Sequence, residues 1–121
     1  MTQALAFIIE DDLQLGQIFS LALSRNFEIE LIPDGNMAMK RLAENIPDLV
    51  VLDYNLPGIT GGEILQQIRA DARMVNTKVI VATADTNQYS ILHEQADLAM
   101  LKPVSPMQLS ELALRLHPTK R

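Results

Sequence analysis

Residues 49–61 read LVVLDYNLPGITG, an unbroken apolar run closed by an acidic residue and followed by Pro-Gly. Consecutive apolar residues without alternation, Leu49 to Leu52, suit a strand covered on both faces. Asp53 then stands at the carboxyl end of that strand, and Pro57-Gly58 turns the chain away from it. Thr60 and Glu63 have capping-box spacing ahead of a helix whose apolar residues are Ile64, Leu65 and Ile68.

The same strand-then-helix order recurs on either side. Residues 4–9, ALAFII, are a second continuous apolar run. A helical pattern follows from Leu13 to about Arg25, with Leu15, Ile18, Phe19 and Ala22 expected on one face. FEIELI, 27–32, alternates apolar with acidic residues and suits a strand near a sheet edge. Asp34 can cap a second helix carrying Met37, Ala38 and Leu42. VIVAT at 79–83 reads as a strand, followed by a weaker helix to about Gln95 and a strand LAML at 98–101. Ser105 and Pro106 open the last helix as N-cap and first helical residue. Five βα units in succession predict an α/β fold, a five-stranded parallel sheet doubly wound with helices on both faces.

The totals bound what such a chain can do. Its 121 residues suit one domain, taken as 1–121, and 48% apolar content suffices for a core. With no cysteine, disulfides, thiolate metal sites and a cysteine nucleophile are excluded, and a cytoplasmic location is expected. The opening MTQALAFIIEDD lacks a basic leader and its apolar run stops at Glu10, which argues against a signal peptide or a membrane span. A net charge of −5 offers no footprint for direct nucleic-acid binding. After His117 only a short tail remains, so no second domain is visible. The chain reads either as a stand-alone protein or as one piece of a longer one.

In parallel α/β sheets, ligands bind beyond the carboxyl ends of the strands. Glu10, Asp11 and Asp12 end strand one, Asp53 strand three, Thr83 strand four and Lys102 strand five. Carboxylates gathered there repel, at about 4 kcal/mol for each pair ~4 Å apart. Either some stay protonated or a cation joins them, and an all-oxygen donor set favours Mg²⁺ or another hard cation. Asp53 is placed as a carboxylate nucleophile, Lys102 as a point charge for a phosphoryl oxygen, and Thr83 as a hydroxyl donor. Each residue has a plainer reading, Asp12 as an N-cap and Asp53 as a turn starter among them. Their joint placement at four strand ends is what points to phosphoryl transfer. His93 and His117 lack nucleophilic or acidic partners and read as surface residues, and the six methionines read as core filling.

On FIIEDD at 7–12, LVVLDYNLPGITG at 49–61, VIVATAD at 79–85 and MLKP at 100–103, the chain resembles the receiver domains of two-component response regulators. That resemblance covers essentially the whole chain and implies a flavodoxin-like sheet of strand order 2-1-3-4-5. It implies phosphorylation on Asp53, with Mg²⁺ held by Asp11, Asp53 and the Asn55 carbonyl, and Glu10 acting mainly through water. It further implies that Thr83 and Lys102 bind the phosphoryl group, that Lys102–Pro103 is often cis, and that Asn55 and Asp85 tune hydrolysis of the aspartyl phosphate. The implied phosphate donors are a histidine kinase, a phosphotransfer protein or acetyl phosphate, and the implied reader is an output domain or effector protein.

The chain departs from the family at Ala99, where Tyr or Phe is usual, at Gln95 in place of Gly, and at Val104 in place of Phe. These changes spare the phosphorylation chemistry and remove the usual aromatic route to the output surface. Two alternatives remain. A pseudo-receiver would use the fold for protein contacts alone, against which the intact acidic set argues. An aspartate-nucleophile phosphatase wants a second Asp where Asn55 stands. The expected role is thus a signalling module and not a turnover enzyme.

Overall fold

The computed structural model describes residues 3–118 of the chain. Five strands, β1 (Ala4–Ile9), β2 (Phe27–Ile32), β3 (Leu49–Asp53), β4 (Lys78–Thr83) and β5 (Leu98–Leu101), form one parallel sheet in the order β2-β1-β3-β4-β5. The three continuous apolar runs occupy the centre, and the alternating FEIELI lies at an edge with Glu28 exposed, as the patterning predicts. Five helices connect them: α1 (Leu13–Leu23), α2 (Gly35–Glu44), α3 (Gly61–Ala70), α4 (Thr86–Leu92) and α5 (Pro106–Leu116). A 3-10 turn at Ala72–Met74, which the sequence reading did not foresee, leads into β4.

The sheet divides the core into two layers. One joins Phe7, Val50, Leu52, Val79 and Val81 to Ala38 and Leu42 of α2, Ile64, Leu65 and Ile68 of α3, and Leu92 of α4. The other joins Ile8, Leu49 and Ile80 to Phe19 and Leu23 of α1 and Leu109 and Ala113 of α5.

Every helix starts from a side-chain cap placed just after a strand or loop. Asp12 accepts from the Gln14 and Leu15 N–H groups, Asp34 from Met37, Asp85 from Asn87 and Gln88, and Ser105 from Gln108. Thr60 and Glu63 form the expected capping box. Each such cap contributes about 1 kcal/mol. The predicted ends move slightly, α1 stopping at Leu23 and α4 at Leu92, with residues 93–95 in a turn.

The buried face of α1 differs from the expected one. Gly16, Phe19 and Leu23 point inward, whereas Leu15 and Ile18 are 37% and 45% exposed. The reason is a close approach: a Cβ on Gly16 would lie 2.6 Å from Leu31 Cδ1, so the glycine is the contact point on β2. The helix is turned to bring it there. Met37 of α2 is likewise largely exposed while Ala38 and Leu42 are buried.

Gly61 opens α3 under a tighter constraint. Its N–H donates to the Tyr54 carbonyl at 3.1 Å, and a Cβ there would fall 2.5 Å from Tyr54 Cα and 2.6 Å from the Asp53 carbonyl oxygen. Backbone cannot swing aside as a leucine methyl can. Gly61→Ala is therefore expected to cost about 1–3 kcal/mol in urea unfolding, the range for overpacking. Gly16→Ala, meeting only the flexible end of Leu31 and gaining helix propensity, should cost well under half as much; equal losses would show that the strand–helix junction yields.

Candidate functional site

The parallel topology brings the ends of β1, β3, β4 and β5 to one rim. Glu10 follows β1 directly and is buried, while Asp11 and Asp12 are exposed. Asp53 closes β3 and is 4% exposed. Glu10, Asp11 and Asp53 each offer a carboxylate oxygen, and these three atoms lie within 4.8 Å of one another.

Lys102, just past β5, sends Nζ to Asp53 Oδ1 at 2.7 Å. The backbone N–H of Asn55 donates to the same oxygen at 3.0 Å. Both donors meet Oδ1. The strand ends are themselves braced: the Lys102 N–H donates to the Thr83 carbonyl at 2.9 Å and the Glu10 N–H to the Ile32 carbonyl at 3.0 Å. The Lys102–Pro103 peptide is cis.

Glu10 is the electrostatically unusual member. Burial pushes its carboxyl up to about 7, and the adjacent Asp53 adds to that rise through its charge and a hydrogen bond. The Asp12 N–H, which donates to Glu10 Oε2 at 3.1 Å, and the Lys102 charge work in the opposite direction. Asp12 thus combines two roles: its side chain caps α1 and its amide orients Glu10. The sequence suggested the first and carried no sign of the second.

The other singled-out residues are placed differently. Thr83 is fully buried at the end of β4, and its Oγ1 accepts from the Asp85 N–H at 3.1 Å. The Asp85 carboxylate is engaged in capping α4, and Asn55 and Pro103 are exposed. Ala99 lies in the core, away from the rim. Of the two histidines read as surface residues, His93 is exposed but packs edge-on against Tyr89, with ring centroids 4.6 Å apart, and His117 tilts against Phe27 at 6.0 Å.

The donor set suits a hard cation. An octahedral ion with bonds of about 2.1 Å draws its ligand atoms to within about 4.2 Å of one another. The three carboxylate oxygens, within 4.8 Å of one another, are gathered on that scale. Nothing in the set is soft enough to favour zinc.

The family model for the response regulator receiver domain matches residues 6–114. Among curated proteins, the chain is 31% identical over 106 residues to the DNA-binding response regulator MtrA of Mycolicibacterium paratuberculosis, covering 84% of this chain and 46% of that protein. It is 32% identical over 114 residues to the response regulator ArlR of Staphylococcus saprophyticus, covering 91% of this chain and 49% of that protein. The chain therefore spans about half the length of the curated relatives it matches. Solved structures share the fold: the chemotaxis response regulator CheY4 of Vibrio cholerae has a TM-score of 0.86 at 24% identity, covering 95% of this chain and 99% of that one. A receiver domain from Methylobacillus flagellatus has a TM-score of 0.84 at 22% identity, covering 96% and 100%. The chain belongs to the response regulator receiver domain family, the phosphorylation-dependent signalling domains of two-component systems.

Proposed function

We propose that Asp53 is the phosphoacceptor and that Glu10, Asp11, Asp53 and the Asn55 carbonyl hold Mg²⁺ beside it. The observation that carries this reading is the convergence of three carboxylate oxygens within 4.8 Å, with the Lys102 ammonium 2.7 Å from the one carboxylate that ends a central strand. When bound, Mg²⁺ would neutralise charge between the carboxylates and the incoming phosphoryl oxygens. The Asp53 carboxylate, oriented by Lys102 and the Asn55 N–H, attacks phosphorus. The new bond joins an Asp53 carboxylate oxygen to phosphorus, and the bond that breaks joins phosphorus to the donor's nitrogen or oxygen, which leaves with the electron pair. No general base is required, because a carboxylate attacks without losing a proton.

Lys102 then serves a phosphoryl oxygen, and the Thr83 hydroxyl donates to another. Asn55 and Asp85, flanking the rim, modulate hydrolysis of the acyl phosphate. The donors are a histidine kinase, a phosphotransfer protein or acetyl phosphate, in the cytoplasm. The phosphorylated form acts on an output domain or effector, with 1–121 working as one receiver unit and without contacting nucleic acid directly. No helix of the described residues is long and apolar enough to cross a membrane.

Mg²⁺ at about 100 times its Kd should stabilise the protein by ~2.7 kcal/mol. Asp11→Asn should shrink that gain in a thermal melt, and an undiminished gain would place the metal elsewhere.

Acidity adds a second signature. Glu10 titrates near 4.5 when unfolded and about 7 in the metal-free fold, so the fold binds the extra proton between those values. This group's contribution is therefore complete below 4.5 and is lost as pH rises through 7. In EDTA the melting temperature should fall over that window, with a shallower slope for Glu10→Gln. Because the metal needs the carboxylate, the Mg²⁺ increment should grow over the same window.

Acetyl phosphate with Mg²⁺ should add one hydroxylamine-labile phosphoryl group to the wild type and to Asp12→Ala, and none to Asp53→Ala. Wild-type labelling of Asp53→Ala would overturn the assignment. Stable stoichiometric modification would distinguish the receiver from a phosphatase, and modification by no donor would leave a protein-contact module.

A further inference from the structure

Helix α1 carries no charged side chain, and apolar residues line it on both sides. Gly16, Phe19 and Leu23 face the sheet, while Leu15, Ile18 and Leu21 face outward, Leu21 at 77% exposure. A helix that is apolar all round is ordinarily covered on both sides. Here the outer side is exposed.

The outward residues form a seam. Leu15, Ile18 and Ala22 are spaced by three and four, which keeps successive side chains on one stripe of a helix. The same spacing reaches Asp11 at the head, four residues before Leu15, and Arg25 at the tail, three after Ala22. Both are exposed. Asp12, beside Asp11, is engaged in capping the helix. The backbone at the tail is held by the Arg25 carbonyl, which accepts from Gln3 Nε2 at 3.0 Å. The seam is thus acidic at one end, apolar in the middle and basic at the other. Next to its basic end a groove of about 520 Å³ opens against α5, lined by Leu21, Ala22, Arg25, Ser110 and Leu114 among others.

We propose that α1 is a self-association surface, pairing antiparallel with α1 of a second copy of this chain about a two-fold axis at Ile18. A two-fold interface is self-complementary, because the same patch serves on both copies. Leu15 and Leu21 each lie three residues from Ile18, and Asp11 and Arg25 each lie seven. Antiparallel pairing on Ile18 therefore sets Leu15 opposite Leu21 of the second copy, at the groove, and Arg25 opposite its Asp11. Each of these pairs occurs twice. A parallel arrangement would instead set Asp11 against Asp11 and Arg25 against Arg25, at a cost in like-charge repulsion.

The net charge of −5 adds a constraint, since two copies repel unless they meet where acid and base balance. A seam that matches itself when reversed meets that condition, and this match is what favours a second copy over a foreign helix. Its 11 residues span about 16 Å, so the contact is at the small end of specific interfaces and the dimer exchanges with monomer. Self-pairing requires nothing of the phosphoacceptor assignment above.

Sedimentation equilibrium should show monomer and dimer together at roughly 0.1–1 mM chain. Ile18→Glu, which sets two like charges at the axis, should leave monomer alone, with its urea unfolding unaltered at low concentration because Ile18 is exposed. Arg25→Glu should raise the dissociation constant about tenfold, and Arg25→Lys should restore it. The chain has no cysteine, so a single introduced one reports on the second copy alone. With oxidised glutathione, Ile18→Cys should cross-link across the axis, whereas Arg25→Cys, its two copies about 21 Å apart along the pair, should not. A wild type that stays monomeric at about 1 mM would overturn self-pairing and leave α1 to a helix of another protein. A dimer that survives Ile18→Glu, or cross-linking of Arg25→Cys as fast as that of Ile18→Cys, would overturn it equally.

Discussion

Two buried carboxyl groups at the end of an apolar sheet are the constraint on which this structure turns. Glu10 and Asp53 are each 4% exposed, and the charge that faces them comes from Lys102, itself 29% exposed in its side chain. Removing one partner from a fully buried pair typically costs about 3–5 kcal/mol, and the partial exposure of Lys102 lowers that figure here. Burial and the Asp53 charge together raise the Glu10 carboxyl to about 7. With Asp11 beside them, these two groups make up an all-oxygen donor set of the kind that suits a hard metal ion.

Much of the surrounding architecture keeps these groups in register. The Asp12 amide orients Glu10 while its side chain starts α1. Gly61 allows α3 to begin directly against the backbone of Asp53 and Tyr54, and Gly35 lets α2 lie against Ile59 in the loop between β3 and α3. The ladder bond from the Lys102 N–H to the Thr83 carbonyl fixes the backbone from which the ammonium reaches Asp53. These are backbone and short side-chain contacts, which makes the Asp53 side of the site stiff.

On the Thr83 side the anchoring is lighter. Helix α3 contributes three fully or nearly fully buried aliphatic side chains, Ile64, Leu65 and Ile68, whereas α4 buries Leu92 and half-buries Tyr89. A helix with little apolar surface in the core opens at lower cost than its neighbours. The same feature explains why its sequence signal was weak and why its predicted end ran three residues too far.

The chain's local chemistry determined a great deal without help. Continuous apolar runs marked β1, β3 and β4, alternation marked β2 as an edge, and the caps at Asp34, Thr60 and Ser105 were legible because each involves residues two or three apart. The candidate site was legible for a related reason: parallel connectivity obliges successive strand ends to meet at one rim. What only the tertiary structure decided depends on separations between distant segments. Gly16 meeting Leu31 set the rotation of α1, Lys102 reaching across 49 positions supplied the ammonium partner of Asp53, and burial set the acidity of Glu10. The placing of Tyr89 against the layer containing Ala99 belongs to the same group. Hydrogen-bond spacing along a chain is a local property, but dielectric, close approach and helix rotation are properties of the assembled volume.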